Sequence, residues 1–535
     1  MKRYLVLLLA IVMVLSCMAC STGGSSAPAA PAAQSNTGTG TGTTQANTGT
    51  TETAASIRDT LIIGADGDLE SPDPYGGTSA GIAMMTNTTF NTLIVNEVGG
   101  GTTPELATEW KDVNGNGTVW DIKLRDNVTF HNGSKLTADD VIFTWNRITD
   151  PTQVKKVFTG TCVTACEKIE AIDPLTVRFT MSQPVPDFIS YLEIKIYSKE
   201  AFDTMPAEDA CAIGTGPYIF NKAETKSGVQ YVTDRYDNYW EGIENHPTKK
   251  MVYRVLTSAD TLVAALQAKE VDITCNVVPA QVGVIQTTDY IKLESVPGEY
   301  SYYIGMNYRN NPDFQDHDFR VAISQALDRD AMVLAGLEGY GTPNYCLVTP
   351  LALGYAQCNY LPRDVEAAKK YIDANGYAGK SYVVAYPNQK TKGIAEVFQA
   401  NLSAVGIKIE LKAVDSSNWT AFKKGNDYDF FVDAIGFKGA LLYNVNRLLY
   451  TGGSSNAFDY NNPEYNAAQD AVSAKTTWED MLAEFKNLQQ FIVDDMAVIP
   501  ILYDDFIYAY REDVHGVVLA SSRNYNDYST VYVTD

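Results

Sequence analysis

Histidine is scarce in this chain, and so is positive charge. Only His131, His246, His317 and His515 occur in 535 residues; none stands beside a cysteine, and no metalloprotease His pair is present. That points away from a zinc centre, and no metal or other cofactor is expected. A Gly-Lys-Ser/Thr phosphate loop is also missing, so phosphate-loop nucleotide chemistry is set aside. Lys and Arg together number 41 against 64 Asp and Glu, a net charge of −23. A surface of that sign repels nucleic acid and anionic lipid, and no nucleic-acid partner is expected. Long apolar runs are lacking too. The one extended run, Leu5 to Leu15, falls well short of the roughly 20 residues that a membrane-spanning helix needs.

What that run does have is the right company. Lys2 and Arg3 precede it and Ser16-Cys17-Met18-Ala19-Cys20 follows, the order of a signal peptide over residues 1–20. A small residue stands before each cysteine, so cutting at either exposes an N-terminal Cys for lipid attachment. This resembles a bacterial lipoprotein signal. Cys17 has Val14 and Leu15 upstream, whereas Cys20 has Ala19 before it and Ser-Thr-Gly-Gly after it; lipidation at Cys17 or Cys20 is expected. Ser21 to Ala55 then carries no large apolar side chain and cannot offset the entropy of ordering. It reads as a tether with a root-mean-square reach of roughly 30 to 35 Å. The expected address is outside the cell, on the outer face of the bacterial cytoplasmic membrane, with the lipid as the membrane contact.

Beyond the tether the chain is long enough for two or three lobes. Thr60 to Gly64 reads as a buried strand and Ile82 to Val95 as a helix. Trp120, Ile122 and Leu124 alternate with charged neighbours, and Val128 to Phe130 is expected to return as the partner strand. Thr137 to Asp140 has a capping-box pattern opening a helix with Val141, Trp145 and Ile148 on one face; a second box is expected at Thr476 to Glu479, ahead of Met481, Phe485, Leu488 and Ile492. A helical stripe from Ile394 to Val405 stops at Gly406, and Ile407, Ile409 and Leu411 alternate after it. Alternating helices and strands of these lengths predict α/β lobes.

Cys162, Cys166, Cys211, Cys275, Cys346 and Cys358 lie beyond the leader. An even number in an exported chain permits three disulfides in fifteen connectivities. Nearness in sequence suggests Cys162–Cys166 and Cys346–Cys358, which leaves Cys211–Cys275; free thiols are the alternative.

Two catalytic patterns fail on context. Gly77-Thr78-Ser79-Ala80-Gly81 matches a nucleophile elbow, but the preceding Pro72-Asp73-Pro74-Tyr75 is a turn where a central strand is required. Asp112 to Gly117 matches half of a calcium loop whose twelfth position should be Glu and is Lys123; an Asn-Gly hairpin turn accounts for it.

The segments Leu106 to Trp110, Trp120 to Arg125, Val128 to Gly133 and Leu136 to Val141 resemble the signature of family 5 solute-binding proteins, the oligopeptide, dipeptide and nickel class of ABC transporters. The likeness continues through Gly214 to Tyr218, Asn238 to Gly242, Asn307 to Arg329 and Ile499 to Tyr503. It implies an α/β fold like the type II periplasmic binding proteins, with two hinged lobes and an inserted subdomain. The expected outer lobe is 56–100, 206–297 and 498–535, the insert 101–205, and the closing lobe 298–497. The implied function is non-enzymatic capture of a peptide or other small solute between the lobes and delivery to an ABC permease with its ATPase subunits, by a protein acting as a monomer. A receptor that signals through a membrane partner without transport is the alternative, with an exported serine hydrolase third.

The family holds a peptide's amino terminus with an Asp that follows a Gly-Trp pair. Here Gly436-Phe437-Lys438-Gly439-Ala440 occupies that segment, with Ala440 or a neighbour where the Asp is expected. A buried ammonium there would lose its partner, which speaks against a standard peptide terminus; Lys438 or Arg447 is instead a candidate contact for an anionic group. Position in the implied fold adds Tyr75, Thr78, Ser79, Tyr303, Asn307, Trp419, Phe437 and Asn446 as candidate ligand-binding residues.

Overall fold

The computed structural model describes residues 56–77, 79–97, 101–274, 276–437, 441–521 and 526–535. The expected signal peptide, the tether, both lipidation candidates, Thr78, Cys275 and Lys438 lie outside the described residues.

One mixed sheet of eleven strands carries most of the chain. Its order runs Lys408–Ala413, Ser381–Tyr386, Phe430–Gly436, Ile291–Met306, Ile499–Arg511, Ile273–Thr274, Thr60–Ala65, Lys250–Val255, Gln230–Arg235 and Tyr218–Phe220, with Gly341–Pro343 also paired to Ile499–Arg511. The two longest strands, Ile291–Met306 and Ile499–Arg511, are antiparallel to each other and serve both ends of this order. Ile291 to Pro297 pairs with Asp505 to Arg511, next to Ile273–Thr274; Ser301 to Ile304 pairs with Ile499 to Tyr503, next to Phe430–Gly436. Between these halves the register slips at Pro297/Ser301. Gly298 sits in the slip, where a Cβ would lie 2.5 Å from Asp504 Oδ1 and 2.9 Å from its carbonyl oxygen. Only glycine permits that approach.

Separate cores flank the crossing. On one side Leu61, Ile63, Tyr218, Tyr253, Tyr508 and Val533 form an outer core. On the other, alternation along the strands divides residues between two faces. Ile304, Val384 and Val432 face a core with Phe314, Phe319 and Phe398, while Tyr303, Ala385 and Phe431 face one with Trp419, Phe437 and Phe485.

A third region stands on its own antiparallel sheet, ordered Ala107–Asp112, Val119–Leu124, Thr176–Met181 and Cys166–Asp173. Trp120, Ile122 and Leu124 point inward as their alternation predicts, under the helix Ala138–Ile148 with Val141, Trp145 and Ile148 buried. The partner of Val119–Leu124 differs from the expected one. Ala107–Asp112, joined through the Asn-Gly turn, pairs on one edge and Thr176–Met181 on the other, whereas Thr129 makes only an isolated bridge to Lys135. Asp112 accepts from the N–H groups of Gly115, at 3.0 Å, and Gly117, at 2.6 Å, so the would-be calcium carboxylate is used to close the turn. Gly214 and Gly216 lie against the end of the helix Ala80–Thr89, where Cβ atoms would fall 2.0 Å from Thr89 O and 2.6 Å from Thr88 O.

Cys162, Cys166, Cys211, Cys346 and Cys358 carry free thiols, so the pairs suggested by sequence nearness are not bonded here. Cys162 is buried in the core while Cys166, one helical turn on, is half-exposed at the start of a strand. Cys346 and Cys358 share a small buried cluster with Val493.

Candidate ligand-binding site

A cavity of about 300 Å³ opens between the four-stranded region and the helix Trp478–Asp495. Trp110 and Trp120 line it from adjacent strands, with Pro186 and Asp187 from the turn after Thr176–Met181, and Trp478 and Leu353 from across the gap. The sequence positions them for local reasons. Trp120 takes its place by strand alternation and donates its indole N–H to Gly117 O at 3.3 Å. Trp478 is the first residue of its helix, whose N-cap Thr477 accepts from the Asp480 N–H at 3.2 Å; the cap falls one residue after the expected Thr476. Phe188, stacked obliquely on Phe179 at 4.8 Å and near Trp120 at 6.0 Å, pins the turn that presents Asp187.

Asp187 is 9 % exposed. Burial pushes its carboxyl up to about 6, opposed by hydrogen bonds from its own backbone and from the Tyr191 side chain, and among the described residues no lysine or arginine acts on it. It also borders a smaller cavity lined by Tyr191, Leu442 and Met481. The two cavities meet at this carboxylate.

The residues expected from sequence fall into two groups. Tyr303, Trp419 and Phe437 converge in one core, where Tyr303 meets Phe431 edge-on at 5.9 Å and the Arg447 charge acts on its hydroxyl. Beside them the Lys423 ammonium pairs with Asp433, 5.5 Å from the Trp419 ring and 5.6 Å from Phe431. Asn307 is fully buried and donates to the carbonyls of Gly425 and Tyr428, both at 3.2 Å, which makes it a loop clamp. Asn446 and Arg447 sit on the helix Leu441–Leu449. The second group lies away from that core. Tyr75 accepts from the Lys195 N–H at 2.9 Å and rests edge-on against Tyr197. Ser79 caps Ala80–Thr89, accepting from Gly81 N–H at 3.1 Å and donating to Asp68 O at 3.0 Å. Its hydroxyl is committed to the backbone, so the nucleophile-elbow pattern is a helix start. Among the described residues no group of three His, Cys, Asp or Glu is placed to hold a metal.

The family description "Bacterial extracellular solute-binding proteins, family 5 Middle" matches residues 101–457. The chain belongs to this family. Family 5 proteins are binding components and not enzymes, which removes the hydrolase reading. Heme-binding protein A of Haemophilus influenzae is 26 % identical over 437 residues, 75 % of this chain and 78 % of that protein. A dipeptide-binding protein of Pseudomonas aeruginosa is 23 % identical over 508 residues, 87 % and 93 % of the two chains. Among solved structures, the ABC transporter substrate-binding protein CtaP of Listeria monocytogenes superposes with a TM-score of 0.79 at 23 % identity, covering 90 % of this chain and all of that one. The oligopeptide-binding protein AppA of Bacillus subtilis, in complex with a nonapeptide, gives 0.69 at 21 %, covering 90 % and 100 %. The fold is therefore that of the type II-like periplasmic binding proteins of this family, as the resemblance in sequence implies.

Sequence reasoning passed over Asp187, Trp110, Trp120 and Trp478 as cavity-lining groups. Trp110 and Trp120 were legible only as members of the family signature and as strand core. The signal that could have marked Asp187 is its setting, a lone carboxylate in the otherwise uncharged run Pro184 to Leu192.

Proposed function

We propose that this chain is a lipid-anchored, extracellular capture protein, monomeric in action, that closes on a peptide or peptide-like solute and delivers it to an ABC importer. The observation that carries the reading is the two-strand crossing. A register slip at Pro297/Ser301, relieved by Gly298, lies between the two halves of one sheet, and a hinge of a few residues is how such lobes close on ligand. In this reading the outer core is the fixed lobe, the four-stranded region is the insert, and the double-faced region closes. Ile499 to Tyr503, just past the expected end of the closing lobe, pairs with Ser301 to Ile304. Anchoring at Cys17 or Cys20 holds the body near its permease and raises the effective concentration there.

The solute differs from a standard peptide terminus, since Ala440 stands in the segment where the family's Asp is expected. Related proteins are named for heme, dipeptides and glutathione, so the shared frame accepts varied cargo. The test is native mass spectrometry of protein purified without refolding, followed by a thermal-shift screen of peptide and non-peptide solutes. A bound solute should raise stability by about 2.7 kcal/mol at 100 times its Kd; a screen in which nothing raises the melting temperature overturns the reading.

A further inference from the structure

We infer that the tryptophan-lined cavity at Asp187 is a subsite for a cationic group, an ammonium or guanidinium carried by the captured solute. The inference rests on the capture reading above and adds the chemistry of the cargo.

Three observations meet here. A carboxylate buried to this degree is costly unless something compensates it, and the described groups acting on Asp187 include hydrogen-bond donors but no cation. The walls are indoles: Trp110, Trp120 and Trp478 all border the same cavity, and indole is the strongest of the side-chain π faces toward a cation. The volume of about 300 Å³ lies at the small end of ligand pockets, suited to a side-chain-sized group and too small for a long peptide.

The protein builds this same arrangement internally, with every part supplied. The Lys423 ammonium is paired with Asp433 and flanked by the Trp419 and Phe431 rings. At Asp187 the carboxylate and the rings come from the protein, and the cation comes with the solute. Because Trp478 and Leu353 face Trp120 from across the gap, a cation held at Asp187 touches both sides and favours the closed arrangement. Differential contact of that kind is what a ligand needs to shift a two-state equilibrium.

The test uses two probe tripeptides of equal length, Ala-Lys-Ala and Ala-norleucine-Ala, both N-acetylated and C-amidated so that the lysine ammonium is the one cation carried by either, titrated into the mature protein at neutral pH with calorimetry and tryptophan emission as readouts. The lysine probe is expected to bind at least tenfold tighter and to change the emission. Asp187→Asn should cut that preference below threefold with the fold intact, and Trp478→Leu should weaken the lysine probe more than the norleucine one. Tyr191→Phe, which removes a donor to the carboxylate and keeps its charge, should preserve the preference. Equal binding of the two probes, or a preference that survives Asp187→Asn, overturns the cationic subsite while capture stands. Binding of neither probe also overturns the subsite, and the thermal-shift screen then decides separately whether capture falls with it.

Discussion

Two buried aspartates in this protein have opposite surroundings. The Asp272 side chain is 1 % exposed and fully engaged: Arg58 and Arg511 both pair with it, and Ile62 N–H donates to it at 2.7 Å. Asp187 is nearly as deep, yet it has rings and a cavity around it and, among the described residues, no cation acting on it. The first belongs to the architecture, because it ties the start of Thr60–Ala65 to the end of Ile499–Arg511. The second has the features of a site. Burial alone does not separate structural charge from functional charge; the completeness of the partners does.

The contrast breaks most visibly at Asp272. Asp272→Ala takes the shared carboxylate from Arg58, the Ile62 N–H and Arg511, which keeps only Asp513, and should cost roughly 3 kcal/mol or more, read as a lowered denaturant midpoint; a loss under 1 kcal/mol would mean the network contributes little. His131 offers the next largest effect. Its ring is held neutral between Gly214 N–H, at 3.3 Å, and Gly216 O, at 2.9 Å, and burial lowers its pKa to about 4. Its contribution is whole above pH 6.5 and is lost as pH falls toward 4, because the unfolded chain takes the proton first; the span is on the order of 3 kcal/mol. His131→Gln should flatten that part of the pH profile relative to wild type.

Asp187 should behave with the opposite sign. A carboxyl raised to about 6 penalises the folded state above pH 6, and the penalty fades as pH falls through 6 toward 4. The ligand-free Asp187→Asn protein should therefore be more stable than wild type at pH 7.5, by on the order of 2 kcal/mol, and no more stable at pH 4. A destabilised variant at pH 7.5 would reveal an internal partner and dissolve the comparison. Smallest is Ser79→Ala, which removes a helix cap worth about 1 kcal/mol and should leave solute capture unchanged in the thermal-shift assay.

Much of the frame was legible because local rules and the fold agree. The Thr137 box forms, with its N–H donated to Asp140 at 2.8 Å; Gly406 ends the helix Gln389–Ala404 region with φ +95°; and Trp120, Ile122 and Leu124 turn inward. Errors arose where pairing is non-local. Val128 to Phe130 alternates well enough for a strand, yet Val119–Leu124 has Ala107–Asp112 on one edge and Thr176–Met181, distant in sequence, on the other, which leaves no edge for it. Of the candidate site, the cluster of Tyr303, Trp419 and Phe437 could be reached through family position. The Asp187 cavity could not, because its walls come from residues more than 350 positions apart in sequence and no spacing rule joins Trp120 to Trp478.

The shared sheet also governs when the protein can fold. Thr60–Ala65 needs Lys250–Val255 on one edge and Ile273–Thr274 on the other, and Ile273–Thr274 in turn needs Ile499–Arg511. Arg58 N–H finally bonds Val533 O at 2.8 Å. Thr60–Ala65 is thus completed only by residues far later in the sequence. During synthesis the outer core stays open until Ile499–Arg511 and Val533 arrive, which delays its folding as non-local pairing does.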